Sequence, residues 1–277
     1  MHNKAMMIDN RVAIVGGRNL AAEYFGLHGE ANFRDLELIV GGPIVQAITQ
    51  AFYDYWNNRW SMLVDKPPED NPAEAGEAPV QVADAIVKIF NNASNEVLIV
   101  SAYLIPTSRL ESIVDQAIDR GVRIRILTNS IASNNHLAAH SAYRNHVNTL
   151  LGHGAELHEV RTDAEDRHIY MLSPVETKAL ALHAKALVID HEKVFIGSAN
   201  LDPRSLRLST EMGLLIESEA LNAEVRAAIK PDFAITNACQ LQFDDNGRVI
   251  WISDDQTLTV QPARSFMLRC GRKIKLV

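Results

Sequence analysis

Several features are scarce in this 277-residue chain, and each scarcity excludes something. Cysteine occurs only as Cys239 and Cys270, so no disulfide framework is implied and a reducing compartment fits. Aromatic residues make up 6%, and 27 Lys and Arg are outnumbered by 34 Asp and Glu, for a net charge of −7. Nucleic acids are held by basic footprints and, when single-stranded, by stacking platforms, so no nucleic-acid partner is expected. No apolar run approaches the roughly 18–20 residues that cross a bilayer. The first nine residues include His2, Lys4 and Asp9 and lack the apolar core of a signal peptide. Membrane contact is therefore expected to be peripheral. No cluster of Cys or Asp has metal-ligand spacing, and neither a metal nor an organic cofactor is expected.

What is present alternates. Short apolar runs at 6–8 and 12–15 flank the turn-like Asp9-Asn10-Arg11 and read as a strand pair. DLELIV at 35–40 is another strand, and residues 44–60 carry apolar side chains at helical spacing after Gly41-Gly42-Pro43. The Pro-, Glu- and Ala-rich stretch at 65–80 reads as a linker. Beyond it come a helix at 81–92, a strand at 97–104, a helix at 110–121 and a strand at 122–128. A helix at 136–152, a strand at 156–160, and the strands LALHAKALVI and VFIGSA follow. Strand and helix in alternation predict an α/β fold with a mixed sheet flanked by helices.

One polar skeleton occurs twice. His2, Lys4, Asp9, Gly16, Asn19 and Leu20 match His183, Lys185, Asp190, Gly197, Asn200 and Leu201, every pair offset by 181 positions. Six identities at one offset indicate a duplicated unit. Gly17 faces Ser198 in the same register, and each copy later has a glutamate at the head of an apolar strand, Glu37 and Glu211.

A histidine and a lysine two apart on a strand share a face. The lysine offers a point charge for phosphate oxygens, and the imidazole can attack phosphorus or move a proton. Asn19, Asn200, Ser198 and Gly17 are the candidate phosphate-binding positions. Asp9 and Asp190 fall at odd spacing near a turn and read as structural. Glu211 is the expected orienting partner of His183, and Glu37 that of His2, each fixing a tautomer as the acid of a catalytic triad does. Two histidines facing one another would supply a nucleophile on one side of phosphorus and an acid on the other. Lysines and asparagines would stabilise the charge without a metal. His140 and Tyr143 read as one packed or solvated helix face, and Trp56 and Trp60 as core or interface. Arg204 and Arg207 fit either a lipid phosphate or an ordinary surface.

The pattern HxKxxxxD followed by GGRN or GSAN, twice, resembles the phospholipase D superfamily. SAYLIP at 101–106, AHSAYRNHVNTLL at 139–151, GAELHEV at 154–160 and NLDPRSLRLSTEMGLLIES at 200–218 resemble bacterial cardiolipin synthases, particularly the cytosol-facing type C branch. The resemblance implies a two-lobe, pseudo-symmetric fold. It also implies phosphatidyl transfer from phosphatidylglycerol to a second phospholipid, phosphatidylethanolamine being one candidate, through a phosphatidyl-histidine, at the cytoplasmic face of the inner membrane. By that resemblance His2 is the nucleophile and His183 the general acid, then base; the two copies by themselves leave the order open. A hydrolase of the same superfamily, or an inactive fragment of such an enzyme, is the alternative.

The second copy is preceded by about a hundred residues of strand and helix, from 81 to 182, and the first by Met1. The expected organisation is the remainder of a truncated first lobe at 1–64, a linker at 65–80, a second lobe at 81–255 and a tail at 256–277. Such a chain should leave open strand edges and apolar faces at 1–20 and 35–40, tend to self-associate, and be weakly active alone.

Overall fold

The computed structural model describes residues 2–59, 61, 81–134 and 136–263. The expected linker, Trp60 and the tail from residue 264 lie outside these described residues.

Strands β1 (Ala5–Ile8) and β2 (Val12–Gly16) form an antiparallel hairpin. Asp9 and Asn10 take φ of 52° and 53° at its tip, the left-handed pair that a tight hairpin turn requires and that Asp and Asn tolerate well. β3 (Ala31–Arg34) leaves this sheet, and β4 (Glu37–Gly41) returns to pair antiparallel with β2. Pro43 opens α1 (Ile44–Trp56), which ends four residues earlier than the sequence spacing suggests. Alternation along the strands puts Ala13 and Val15 on one face, buried against Val45 and Ile48 of α1 and against Leu214. The other face turns Met6, Ile8 and Ile39 to solvent. Trp56 lies on the surface rather than in the core, stacked on Phe52.

The larger part runs α2 (Gln81–Asn92), β5 (Glu96–Ser101), α3 (Ser108–Asp119), β6 (Arg123–Asn129), α4 (Leu137–Tyr143), α5 (Val147–Gly152) and β7 (Glu156–Val160). It continues with β8 (Ala179–Leu182), β9 (Lys185–Ile189), β10 (Lys193–Gly197), α6 (Pro203–Arg207), β11 (Gly213–Glu217) and α7 (Glu219–Ile229). β12 (Ala238–Phe243), β13 (Val249–Ile252) and β14 (Thr257–Leu258) close it. Nine strands form one mixed sheet in the order β11-β10-β9-β5-β6-β7-β12-β13-β14, parallel only across β5, β6 and β7. Its centre is apolar on both faces because helices cover both. Ile99, Ile124 and Leu157 pack under α2, α3 and α5, while Leu98, Leu127 and Val188 pack with Val225 and Ile229 of α7. Thr107 and Ser218 cap α3 and α7 by accepting from Leu110 N and Leu221 N.

Two expected elements are divided. The helix expected at 136–152 breaks after Tyr143, where Asn145 N and His146 N bond three residues back, to Ala142 and Tyr143, and tighten the turn. The run LALHAKALVI is two strands. β8 pairs parallel with β3, whereas β9 lies between β5 and β10. At the switch the amides of His183 and Ala184 both donate to the Arg34 carbonyl, at 2.8 and 3.1 Å. That switch sets His183 between the two sheets.

Candidate active site

His183 is fixed from three sides. Its Nδ1 lies 2.8 Å from Asp35 Oδ2, and the Lys185 ammonium lies 2.9 Å from the same nitrogen and 3.2 Å from Nε2 while bonding the His183 carbonyl. The ring packs against Phe33 and meets Tyr24 edge to face. Burial would raise the Asp35 pKa, but the hydrogen bond from His183 and the Lys185 charge outweigh it and hold the carboxyl below its ordinary range. Burial pushes the Lys185 ammonium down to about 7, partly opposed by Asp35. Burial also lowers His183 to about 4 against the pull of Asp35. In the substrate-free protein this histidine is therefore neutral near pH 7, with Nδ1–H donating to Asp35 and Nε2 left as an acceptor.

The first copy repeats these contacts. His2 Nδ1 lies 2.8 Å from Glu211 Oε2, Lys4 Nζ donates to the His2 carbonyl at 2.8 Å, and His2 N donates to the Thr210 carbonyl at 3.1 Å. Burial lowers the Lys4 pKa, with Glu211 and Asp35 opposing. The charges of both copies act on each other: Lys4 on Lys185 and His183, Asp35 and Glu211 on both lysines. One polar cluster is built from two repeats.

The carboxylates cross. The sequence pattern pairs Glu211 with His183 and Glu37 with His2; instead Glu211 holds His2, Asp35 holds His183, and Glu37 is turned outward to Arg18 Nε at 2.7 Å. Strand register explains the correction. Gly16 pairs with Glu37 and Gly197 with Gly213, so Glu37 is equivalent to Gly213, and the residue equivalent to Glu211 is Asp35, two positions earlier. The backbone agrees: Arg34, before Asp35, accepts from His183 N, as Thr210, before Glu211, accepts from His2 N. The sequence signal lies in aligning RDLELIV with TEMGLLI by their apolar runs rather than by the glutamates.

The remaining expected positions divide. Ser198 is buried and donates to Glu211 Oε2 at 2.5 Å while accepting from Met212 N at 3.0 Å, so its hydroxyl holds the carboxylate rather than facing a phosphate. Gly17 likewise sits against the carboxylate of its own repeat, where a Cβ would lie 2.7 Å from Asp35 Oδ1. The Asn19 amide donates to the Tyr24 hydroxyl at 2.7 Å. Asn200 is buried, and its Oδ1 makes no hydrogen bond among the described residues. Asp190 accepts from the amides of Ser94, Asn95 and Glu96, clamping the entry to β5, and Asp9 shapes the hairpin. Arg204 and Arg207 are exposed on α6. His140 and Tyr143 are buried near Glu159, whose pKa burial raises to about 7. Sequence reasoning missed Asp35 and also Tyr24, which lies in a stretch that reads as a loop.

Residues 86–232, more than half of the chain, match the model of the family described as "Cardiolipin synthase, PLD-like domain". The chain belongs to this cardiolipin synthase family of phospholipase D-like domains. It is 29% identical to cardiolipin synthase C of Escherichia coli (strain K12), over 97% of this chain and 70% of that protein. It is 29% identical to cardiolipin synthase A of Pseudomonas syringae pv. syringae (strain B728a), over 87% of this chain and 49% of that protein. The phosphatidylserine synthase of Haemophilus influenzae Rd KW20 shares the fold, with a TM-score of 0.64 at 12% identity, over 87% of this chain and 62% of that one. Among the described residues, no helix is long and apolar enough to cross a membrane.

Proposed function

We propose that this chain carries the transfer site of a cardiolipin-forming phosphatidyltransferase, acting on phosphatidylglycerol and a second phospholipid at a membrane surface, peripherally and from the cytoplasmic side. The observation that carries this reading is the crossed pair: each histidine has a carboxylate of the other repeat on Nδ1 and a lysine at its own carbonyl. Such an arrangement leaves both Nε2 atoms for chemistry and makes the site depend on both repeats.

The two histidines take different roles. The side chain of His2 is 36% exposed and that of His183 is 7% exposed, so His2 is the more open to a phosphodiester and suits the nucleophile. His2 Nε2 bonds to phosphorus as the P–O bond to the departing glycerol breaks, and His183 Nε2 delivers the proton to that oxygen. The acceptor hydroxyl then attacks phosphorus, the P–N bond breaks, and its proton passes to His183. The anionic substrate beside His183 favours the imidazolium and raises the low pKa of the free site. Lys4 and Lys185 stabilise the negative charge on the phosphoryl oxygens, and Asp35 and Glu211 stabilise the imidazolium forms, a metal-independent scheme.

The test is a transfer assay on vesicles with labelled phosphatidylglycerol, with and without phosphatidylethanolamine. Cardiolipin is the expected product, and His183→Ala and His2→Ala should each lower its formation at least about 10³-fold. Phosphatidate as the sole product would replace the transferase reading with a hydrolase.

A further inference from the structure

A tyrosine stands over the reacting nitrogen of His183. Tyr24 sits on a short turn, Ala22–Tyr24, within the longer loop of the first repeat. Its hydroxyl lies 3.4 Å from His183 Nε2 and accepts from Asn19 Nδ2 at 2.7 Å. The ring is buried, with its centroid 4.9 Å from that of His183 and 4.8 Å from that of Phe33. With His183 Nδ1–H committed to Asp35, Nε2 is an acceptor faced by two donors, the phenol at 3.4 Å and the Lys185 ammonium at 3.2 Å. Burial raises the Tyr24 pKa, so the phenol keeps its proton at neutral pH. A hydroxyl held between an amide donor and a general base occupies the place an acceptor alcohol must take for its proton to leave.

We propose that Tyr24 is a positioning and specificity residue that closes the His183 side of the site, its hydroxyl occupying the subsite of the acceptor alcohol. This rests on the transferase reading and deepens it. In the resting site the phenol and its ring keep water from Nε2. An acceptor alcohol displaces the hydroxyl, inherits the contacts to Asn19 and Nε2, and passes its proton to His183 as its oxygen bonds to phosphorus and the P–N bond to His2 breaks. Water that enters while the phenol is in place has no base to receive its proton, which biases the intermediate towards transfer. The turn carrying Tyr24 is secured through Gly26, whose carbonyl accepts from Leu172 N at 2.9 Å. That backbone bond does not involve the phenol.

The experiment supplies the whole chain with vesicles of labelled phosphatidylglycerol and 1-butanol, and measures phosphatidylbutanol against phosphatidate. Tyr24→Ala should raise the proportion of phosphatidate to phosphatidylbutanol at least about tenfold, whereas Tyr24→Phe, which keeps the ring as a shield, should move it less than about threefold. An unchanged proportion in Tyr24→Ala would overturn the proposal. The second arm needs no turnover: nitrogen NMR of the His183 ring across pH. The phenol donates to neutral Nε2, so Tyr24→Phe should raise the His183 pKa by about half a unit or more, and an unchanged titration would overturn the contact. If the unaltered chain forms neither lipid product, the transferase reading falls, and the titration alone decides whether Tyr24 governs His183.

Discussion

The two repeats carry the same skeleton in unlike settings. The strand after His183 lies inside the nine-stranded sheet, between β10 and β5, with every residue from Lys185 to Ile189 buried. The strand after His2 is an edge of a three-stranded sheet, and Met6 and Ile8 are exposed. Leu201 is 4% exposed and bridges to Leu104, whereas its counterpart Leu20 is 95% exposed. Local sequence sets which polar atoms the histidine, lysine and carboxylate offer; the surrounding sheet sets their solvation. The same His-x-Lys unit therefore yields one deeply desolvated pair and one half-open pair, an inequality that suits a reaction needing two different histidines.

The contrast between repeats is broken most sharply at the carboxylates. Asp35→Asn removes the charge that steadies imidazolium at His183 and forces the amide to compete for the tautomer; cardiolipin formation should fall about 10²- to 10⁴-fold. Glu37→Gln, an equally conservative change two residues away, breaks only a partly exposed ion pair with Arg18 and should cost less than about threefold. Glu211→Gln should resemble Asp35→Asn. If Glu37→Gln proved the more damaging at equal folded content, the crossed pairing would be wrong. Gly17→Ala should follow Asp35→Asn, because the added methyl meets the Asp35 carboxylate.

The leucine pair sharpens the contrast in solvation. Leu201→Ala empties a buried site in the larger core, where Leu201 bridges to Leu104, and should lower stability by about 2–5 kcal/mol, read as a fall in the urea midpoint at constant slope. Leu20→Ala should change it by less than about 0.5 kcal/mol. Comparable losses from both would show that the apolar surface of the first repeat is covered in solution.

Much of this is legible in the sequence, for identifiable reasons. Repetition at one offset exposes both His-x-Lys pairs, because chemistry at phosphorus demands the same residue types at the same spacing. The buried strand at 97–104 announces itself by a near-continuous apolar run, since helices cover the sheet on both faces. Asp35 is hidden because two signals compete: the loop before it is longer in the first copy, and Glu37 offers a false match by residue type. Tyr24 is hidden because a loop tyrosine has no periodicity, and only packing against Phe33 and His183 gives it meaning. The strand break at His183 is hidden because LALHAKALVI is apolar through most of its length, while β8 and β9 answer to different sheets.

A smaller effect than that of Leu201→Ala separates the lysines by pH. Burial lowers Lys185 from 10.5 to about 7, and it also lowers the half-buried Lys4, where Glu211 and Asp35 oppose it. Below pH 7 Lys185 is protonated in folded and unfolded chains, and the cost of its buried charge is fully present. Between about 7 and 10.5 the unfolded chain binds the extra proton, so stability attributable to this residue must rise with pH. Urea unfolding at pH 7 and pH 9 should show this rise, about 1–2 kcal/mol, and Lys185→Met should abolish it while being most stabilising at pH 7. Lys4→Met should alter the slope far less, because solvent reaches that ammonium and screens it. Function should run the other way: as Lys185 loses its charge above pH 7, the site loses attraction for a phosphodiester, and KM should climb in the unaltered chain more steeply than in Lys185→Met. Equal slopes for the two lysine variants would mean that the repeats are solvated alike, and the assignment of His2 and His183 to different halves of the reaction would lose its physical basis.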